Sequence, residues 1–291
     1  MIKRTIAALL AALTLLFCAG ALAQEAEVNT QVKHYLLLGQ DGYAEDIVED
    51  ARTDTIVLVT LDTKYNRVIM TSILRDSKIK NPSGNDTKIN ILYKGYGFDG
   101  VIECLERELA LEIEGAVMVN FEHVKPVIDA LGGVDIEIDE NEYIAIKHIL
   151  LGKDPNMPKG PGMTHMTGRI ALAYMRDRSS GSGDFSRTER QRKVVAQLFD
   201  KCRDLSLTEL IGVYNQVSGG MKMNLSAMDI LGALSSGYQL VAGGADFVEF
   251  HIPDDGTYSY GTVGSSSSAL EVRWKTNRNR LHALINSPEA K

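Results

Sequence analysis

The sequence predicts an α/β fold, read as one domain, and three observations carry the prediction. Near-continuous apolar and β-branched runs such as Thr55–Leu61 (TIVLVTL) and Val68–Leu74 (VIMTSIL) have the length and composition of buried strands. Further along, strand-like runs alternate with segments whose apolar residues recur at helical spacing, as in Val101, Ile102, Leu105 and Leu109. With 291 residues and 44% hydrophobic content, the chain can also bury a large core.

Residues 1–23 open with basic Lys3 and Arg4, continue as an uncharged apolar run and end on Ala21-Leu22-Ala23, the pattern of a secretory signal with an A-x-A cleavage site. The run also approaches the roughly 20 apolar residues that a membrane-spanning helix needs. The segment therefore reads as a signal peptide or an N-terminal membrane anchor, and both readings make the protein extracytoplasmic, either secreted or associated with a membrane surface. A lipid anchor on Cys18 is disfavoured, because bulky Phe17 precedes it. Residues 24–32 form a short linker, and 33–291 form the single domain.

Formal net charge is -7, and loss of Lys3 and Arg4 with the signal makes it about -9, which argues against nucleic acid as a partner. Cys104 and Cys202 fall on apolar faces of predicted helices and read as buried thiols; an exporting compartment leaves a disulfide between them open.

His34–Leu38 is the first strand, ended by the turn residues Gly39 to Gly42. Thr55–Leu61 and Val68–Leu74 follow, joined by a hairpin-length TKYNR link. If these strands run up, down and up, one sheet edge collects Asp41, Asp54, Arg75 and Asp76. Each Asp taken singly reads as a turn or cap residue. Together, Asp41 and Asp54 suit a hard divalent cation, which takes oxygen ligands and keeps several waters. Arg75 beside them is either an ion-pair partner or a phosphate ligand. Lys88 and Asn90 come next among apolar neighbours; Lys88 adds a possible phosphate contact, with a surface lysine as the alternative.

Asp99 is placed to cap a helix through Leu109, Gly115–Phe121 is a strand, and Glu122–Leu131 is a helix stopped by Gly132-Gly133. Val134–Ile138 alternates apolar and acidic residues as a half-exposed strand does. Residues 139–167 hold an apolar patch and a proline-rich loop; His148 and His165 lack the spacing of a zinc site.

The stretch 168–193 then reverses the local charge: it holds Arg169, Arg176, Arg178, Arg187, Arg190, Arg192 and Lys193 against three acids. A guanidinium fork binds phosphate oxygens in a bidentate way that an ammonium cannot. Ser186 and Glu189 form a capping box, so Arg187, Arg190 and Gln191 share the first turn of a helix. Cations are unfavourable at a helix N-terminus unless an anion offsets them. The bland alternative is a solvated helix face. Beyond it lie helices at 207–217 and 226–240, a strand at 247–252, GTVGSSSS as a flexible loop, and a strand and closing helix over 270–285.

The segments YLLLGQD, RTDTIVLVTLD, VIMTSILRDSKIK, DTKIN, VNFEHVKPVIDALGGVDIEI, TGRIALAYMRDR and GDFSRTERQRKVVAQL, in this order over about residues 33–203, closely resemble the LytR-CpsA-Psr family of bacterial cell-wall enzymes. The resemblance implies a three-layer α/β/α sandwich around a central mixed β-sheet, with an apolar pocket for a polyprenyl chain. It implies transfer of a glycopolymer from an undecaprenyl-type polyprenyl pyrophosphate carrier to a peptidoglycan acceptor, with Mg2+ at the pyrophosphate. Carried over by motif, Asp41 and Asp54 become metal ligands, and Arg75, Lys88, Arg176, Arg178, Arg187, Arg190 and Gln191 become pyrophosphate ligands. Arg75, Asp76 and Asp41 become catalytic candidates, the two acids as alternative proton acceptors. One departure is visible: the family's proline before the arginine is Leu74, which predicts looser placement of Arg75. A non-catalytic protein that binds or senses polyprenyl phosphates is the alternative from another class, while the export signal and acidic charge argue against a transcription regulator.

Overall fold

The computed structural model describes residues 32–40, 52–120, 123–177, 179–180, 190, 193–194, 197–198, 201–202, 205–264 and 266–288. The chain begins with β1 (Val32–Gln40), β2 (Thr53–Asp62), β3 (Arg67–Ile73), β4 (Lys78–Lys80) and β5 (Asp86–Lys88), followed by α1 (Leu92–Leu109) and β6 (Gly115–Asn120). Next come α2 (Val124–Ala130), β7 (Val134–Ile138), α3 (Glu140–Ile149), β8 (Gly162–Met166) and α4 (Gly168–Arg176). The chain closes with α5 (Leu207–Val217), β9 (Lys222–Met223), α6 (Ala227–Ala242), β10 (Asp246–Ile252), β11 (Tyr258–Val263), β12 (Ser266–Val272) and α7 (Trp274–Asn286).

Six strands form the central sheet in the order β10-β3-β2-β1-β6-β9. The sheet is mixed: β1 runs parallel to β6 and β10 parallel to β3, while β1–β2, β2–β3 and β6–β9 are antiparallel. A strand buried on both faces needs apolar side chains in both phases, and the uninterrupted Tyr35-Leu36-Leu37-Leu38 run supplies them. Tyr35, Leu37, Val57 and Val59 face α2, α4, α5 and α6, whereas Leu36, Leu38, Ile56 and Leu58 face α1 and α7. The result is the expected α/β/α sandwich. Cys202 lies in the first of these cores and Cys104 in the second, on opposite faces of the sheet, so the two buried thiols are free and do not pair.

Two side-chain devices hold the layers. Arg67, on β3, pairs with the fully buried Asp62 at 2.7 Å and donates to the carbonyls of Leu284, Ile285 and Ser287 at the C-terminal end of α7. Gly168 starts α4 where a Cβ would sit 2.2 Å from the Lys125 carbonyl oxygen, so only glycine lets α4 approach α2 this closely.

Two expectations change, and one is refined. Helix α1 begins at Leu92 rather than at an Asp99 cap, with a break at Gly97 (φ 62°), and the Asp99 carboxylate instead accepts from Asn224. The half-exposed strand expected over Val134–Ile138 is present with alternating burial, and it pairs with β8 in a separate two-stranded sheet. Of the GTVGSSSS segment, residues 261–263 lie on β11 and 266–268 on β12, paired in a hairpin from Tyr258↔Val272 to Val263↔Ser266, while Ser265 lies outside the described residues. Among the described residues, no helix is long and apolar enough to cross a membrane; residues 1–23 lie outside them.

Candidate active site at the sheet edge

The up-down-up order of β1, β2 and β3 brings the end of β1, the start of β2 and the end of β3 to one edge. Asp54 and Arg75 meet there, with Arg75 Nη1 3.0 Å from Asp54 Oδ2. On the other side of the guanidinium, Arg75 Nε lies 3.7 Å from Asp76 Oδ2, and Asp76 Oδ1 receives Lys88 Nζ at 2.7 Å. Two carboxylates and two cations therefore alternate along the edge. All four are partly exposed, so the row faces solvent and can exchange an internal partner for a ligand.

The backbone beneath this row is fixed. The Ser77 N–H closes a turn onto the Leu74 carbonyl at 2.9 Å, which puts Arg75 and Asp76 at the turn's centre. From the following segment, the Ile89 N–H donates to Ser77 O at 2.9 Å and the Asn90 N–H to Arg75 O at 3.3 Å. Lys88, Ile89 and Asn90 thus bind three consecutive residues of the turn, Asp76 by its side chain and Ser77 and Arg75 by their carbonyls. The lysine is not a loose surface charge.

Several oxygens close to this edge are buried without a hydrogen-bond partner: Thr53 Oγ1, Thr55 Oγ1, Ser77 Oγ and Asn90 Oδ1. Buried polar atoms are nearly always satisfied, so water or an ion completes the bonding of these oxygens. The donors fit magnesium, which takes hard oxygens, needs only one or two carboxylates from the protein, and completes its shell with water and phosphate. Among the described residues no three His, Cys, Asp or Glu side chains converge as a cage, and Asp41, the second expected ligand, lies outside them.

The second arginine group is built differently. Arg176 is the last residue of α4, and the next residue, Asp177, meets Arg190, which lies on the helical residues that follow. Arg190 is 2% exposed. Its Nη2 donates to Asp177 O at 2.8 Å and lies 3.4 Å from Asp177 Oδ2. Its Nη1 donates to Ser180 O and Ser180 Oγ, both at 3.1 Å, and lies 3.4 Å from Glu142 Oε1. Burial alone would raise the Asp177 carboxyl, but hydrogen bonds from Ser180 and Ser179 and the Arg190 charge hold it below the usual carboxylate range. Arg190 borders a cleft of about 1010 Å³ whose other walls include Asp135, Glu137, Asp139, Glu142 and Lys193. Ile136, Ile138 and Pro161 line it as well, so its walls mix charged and apolar groups. Arg178, Arg187 and Gln191 lie outside the described residues.

The sequence profile of the LytR_cpsA_psr family matches residues 21–278, nearly the whole chain. This chain belongs to the LytR-CpsA-Psr family. It is 32% identical over 224 residues to the polyisoprenyl-teichoic acid–peptidoglycan teichoic acid transferase TagU of Bacillus mycoides, covering 76% of this chain and 68% of that one. It is 30% identical over 200 residues to the transferase of the same description, TagV, of Bacillus subtilis, covering 65% of this chain but only about half (49%) of the relative. Among solved structures, TagT bound to LI-WTA superposes with a TM-score of 0.61 at 22% identity, covering 94% of this chain and 96% of that one, which supports the fold.

The Leu74 departure has a physical counterpart in the structure. The Leu74 N–H donates to Ile252 O at the end of β10, at 2.8 Å, a bond that proline cannot make. The parallel strand β10 therefore fixes the backbone ahead of Arg75 where a proline ring would otherwise do so, and the looser placement expected from sequence does not follow. Sequence reasoning missed Glu142, Asp177 and Ser180 as partners of Arg190. Glu142 is legible only as the far end of the Asp139 capping box, which it also completes, and its pairing with Arg190 spans 48 residues.

Proposed function

We propose that this chain is an exported transferase that moves a glycopolymer from a polyprenyl pyrophosphate carrier to peptidoglycan. The observation that supports it most is the Asp54–Arg75–Asp76–Lys88 row on the edge of a LytR-CpsA-Psr fold. Relatives described as teichoic acid transferases support the reaction class.

In this reading Arg75 presents its fork to the pyrophosphate, and Lys88 adds a point charge whose direction Asp76 sets. Arg176 meets the anion from the end of α4, Arg178, Arg187 and Gln191 are its further ligands, and Arg190 contributes by holding Asp177 and Ser180 in place. Asp54 and Asp41 would hold magnesium, which when bound draws charge from the phosphate oxygens. A peptidoglycan hydroxyl attacks the phosphorus that carries the glycan. Its bond to the lipid phosphate breaks, lipid monophosphate leaves, and the hydroxyl proton passes to Asp41 or Asp76. Positioning and charge neutralisation supply most of the rate, as is general for phosphoryl transfer.

The test is turnover. The purified protein is incubated with a radiolabelled, polyprenyl-pyrophosphate-linked glycan and peptidoglycan. Label fixed to peptidoglycan with equimolar release of lipid phosphate is the expected result; stoichiometric binding without release would make the protein a lipid-phosphate binder instead.

A further inference from the structure

The β11–β12 hairpin carries an aromatic pair that the fold leaves in solvent. Tyr260 is 79% exposed and Tyr258 36% exposed, and their rings meet edge to face with centroids 5.9 Å apart at 84°. Large aromatic rings are normally buried, so a pre-ordered exposed pair calls for a ligand. Its place in the fold says which one.

Strand β12 joins the hairpin to the candidate active site. The Leu270 N–H donates to Asp76 O at 2.9 Å, and Leu270 bridges to Ser77. Tyr260 is the cross-strand partner of Leu270. Tyr260 is thus two strand spacings from the backbone of Asp76, roughly 10 Å, which is the reach of one or two sugar rings. The hairpin is also rigid. Glu271 bonds Lys78 at 2.9 Å, the Trp274 indole donates to Lys78 O at 2.9 Å, and Arg273 N donates to Thr257 O at 2.9 Å. Gly261 leaves room for Glu271 to lie across the strand, because a Cβ there would come within 2.5 Å of its Cγ.

We propose that Tyr258 and Tyr260 form a sugar-stacking subsite that receives the first pyranose rings of the donor glycan. The apolar C–H face of a pyranose matches an aromatic face, and the exposed Thr262 and Ser268 hydroxyls, on the same face of the hairpin as the two rings, suit its rim of hydroxyl groups. A glycan joined to a pyrophosphate at Arg75 would have to cross this surface if it ran toward β12. The inference rests on the reading of the Arg75 edge as the pyrophosphate site, and it specifies which part of the donor selects the polymer.

The experiment measures binding of two soluble probes, farnesyl pyrophosphate and farnesyl pyrophosphate bearing one N-acetylglucosamine, to wild type, Tyr260→Ala, Tyr260→Phe and Arg75→Ala. Tyr260→Ala is expected to weaken the sugar-bearing probe about tenfold, the effect of one lost stacking contact, and to leave the bare probe unchanged. Tyr260→Phe keeps the ring and is expected to bind both probes as wild type does. Equal binding of the sugar-bearing probe by wild type and Tyr260→Ala overturns the proposal. So does equal weakening of both probes, or a phenylalanine variant as weak as alanine. Loss of binding to phosphatidylglycerol vesicles in Tyr260→Ala, without discrimination between the probes, would make the tyrosines a membrane contact and likewise overturn it. Arg75→Ala keeps the two questions apart: if it binds the bare probe normally, the edge is not the pyrophosphate site, whatever the tyrosine variants do.

Discussion

Arg190→Met separates a structural arginine from a ligand-binding one. The substitution keeps the length of the side chain but removes the charge between Glu142 and Asp177, both of which are nearly buried. Three hydrogen bonds, to Ser180 O, Ser180 Oγ and Asp177 O, go with it. Removing one partner of a buried ion pair costs about 3 to 5 kcal/mol, since the remaining charge stays desolvated. Asp177 keeps its Ser179 and Ser180 donors, so the loss should sit at the lower end, near 3 kcal/mol and a Tm fall of roughly 10 °C. Urea unfolding followed by circular dichroism measures it, and Arg190→Lys should recover part of the loss. A methionine variant within about 0.5 kcal/mol of wild type that has lost only pyrophosphate binding would refute the reasoning and make Arg190 a ligand.

Three further outcomes follow from the geometry. His34 is buried on Thr60 Oγ1, and burial first, then the His282 charge, push its imidazole down to about 4 against an opposing pull from Asp62. The unfolded chain protonates near 6.5 and the folded chain does not, so stability present above pH 6.5 drains as the pH falls toward 4. The loss between pH 8 and pH 5 should be about 2 kcal/mol, and His34→Asn should flatten that part of the profile; an unchanged slope contradicts it. Arg67→Met strands the buried Asp62 carboxylate and uncaps α7, so it should cost about 3 to 5 kcal/mol in urea unfolding; a near-neutral result means the α7 anchor lies elsewhere. Asp54→Asn should move the magnesium dependence of turnover at least about tenfold higher, and activity that persists in excess chelator removes the metal from the mechanism.

Much of this architecture is legible in the residues. The β-branched and leucine runs of β1, β2 and β3 specify strands buried on both faces, and a simple up-down-up order then places Asp54, Arg75 and Asp76 together. What periodicity does not report is contact between distant segments. The Glu142–Arg190 pair, the Leu74–Ile252 bond and the seating of β12 on Asp76 all join residues more than forty positions apart, and nothing local encodes them. The serines at 266–268 read as a loop because serine favours turns, yet cross-strand partners on β11 draw them into a strand. Nothing in the local pattern singles out Tyr258 and Tyr260; their exposure is a property of the fold.

The central claim is that the Arg75 edge binds and activates a pyrophosphate, and Arg75→Lys tests it most directly. Arg75 and Asp54 are partly exposed, so stability should change by less than about 1 kcal/mol. Lysine keeps the charge and loses the planar fork, and the rate of lipid phosphate release from the glycan-linked carrier should fall at least about a hundredfold. A lysine variant that is equally stable and releases lipid phosphate at nearly the wild-type rate would contradict the account and leave Arg75 as no more than the partner of Asp54.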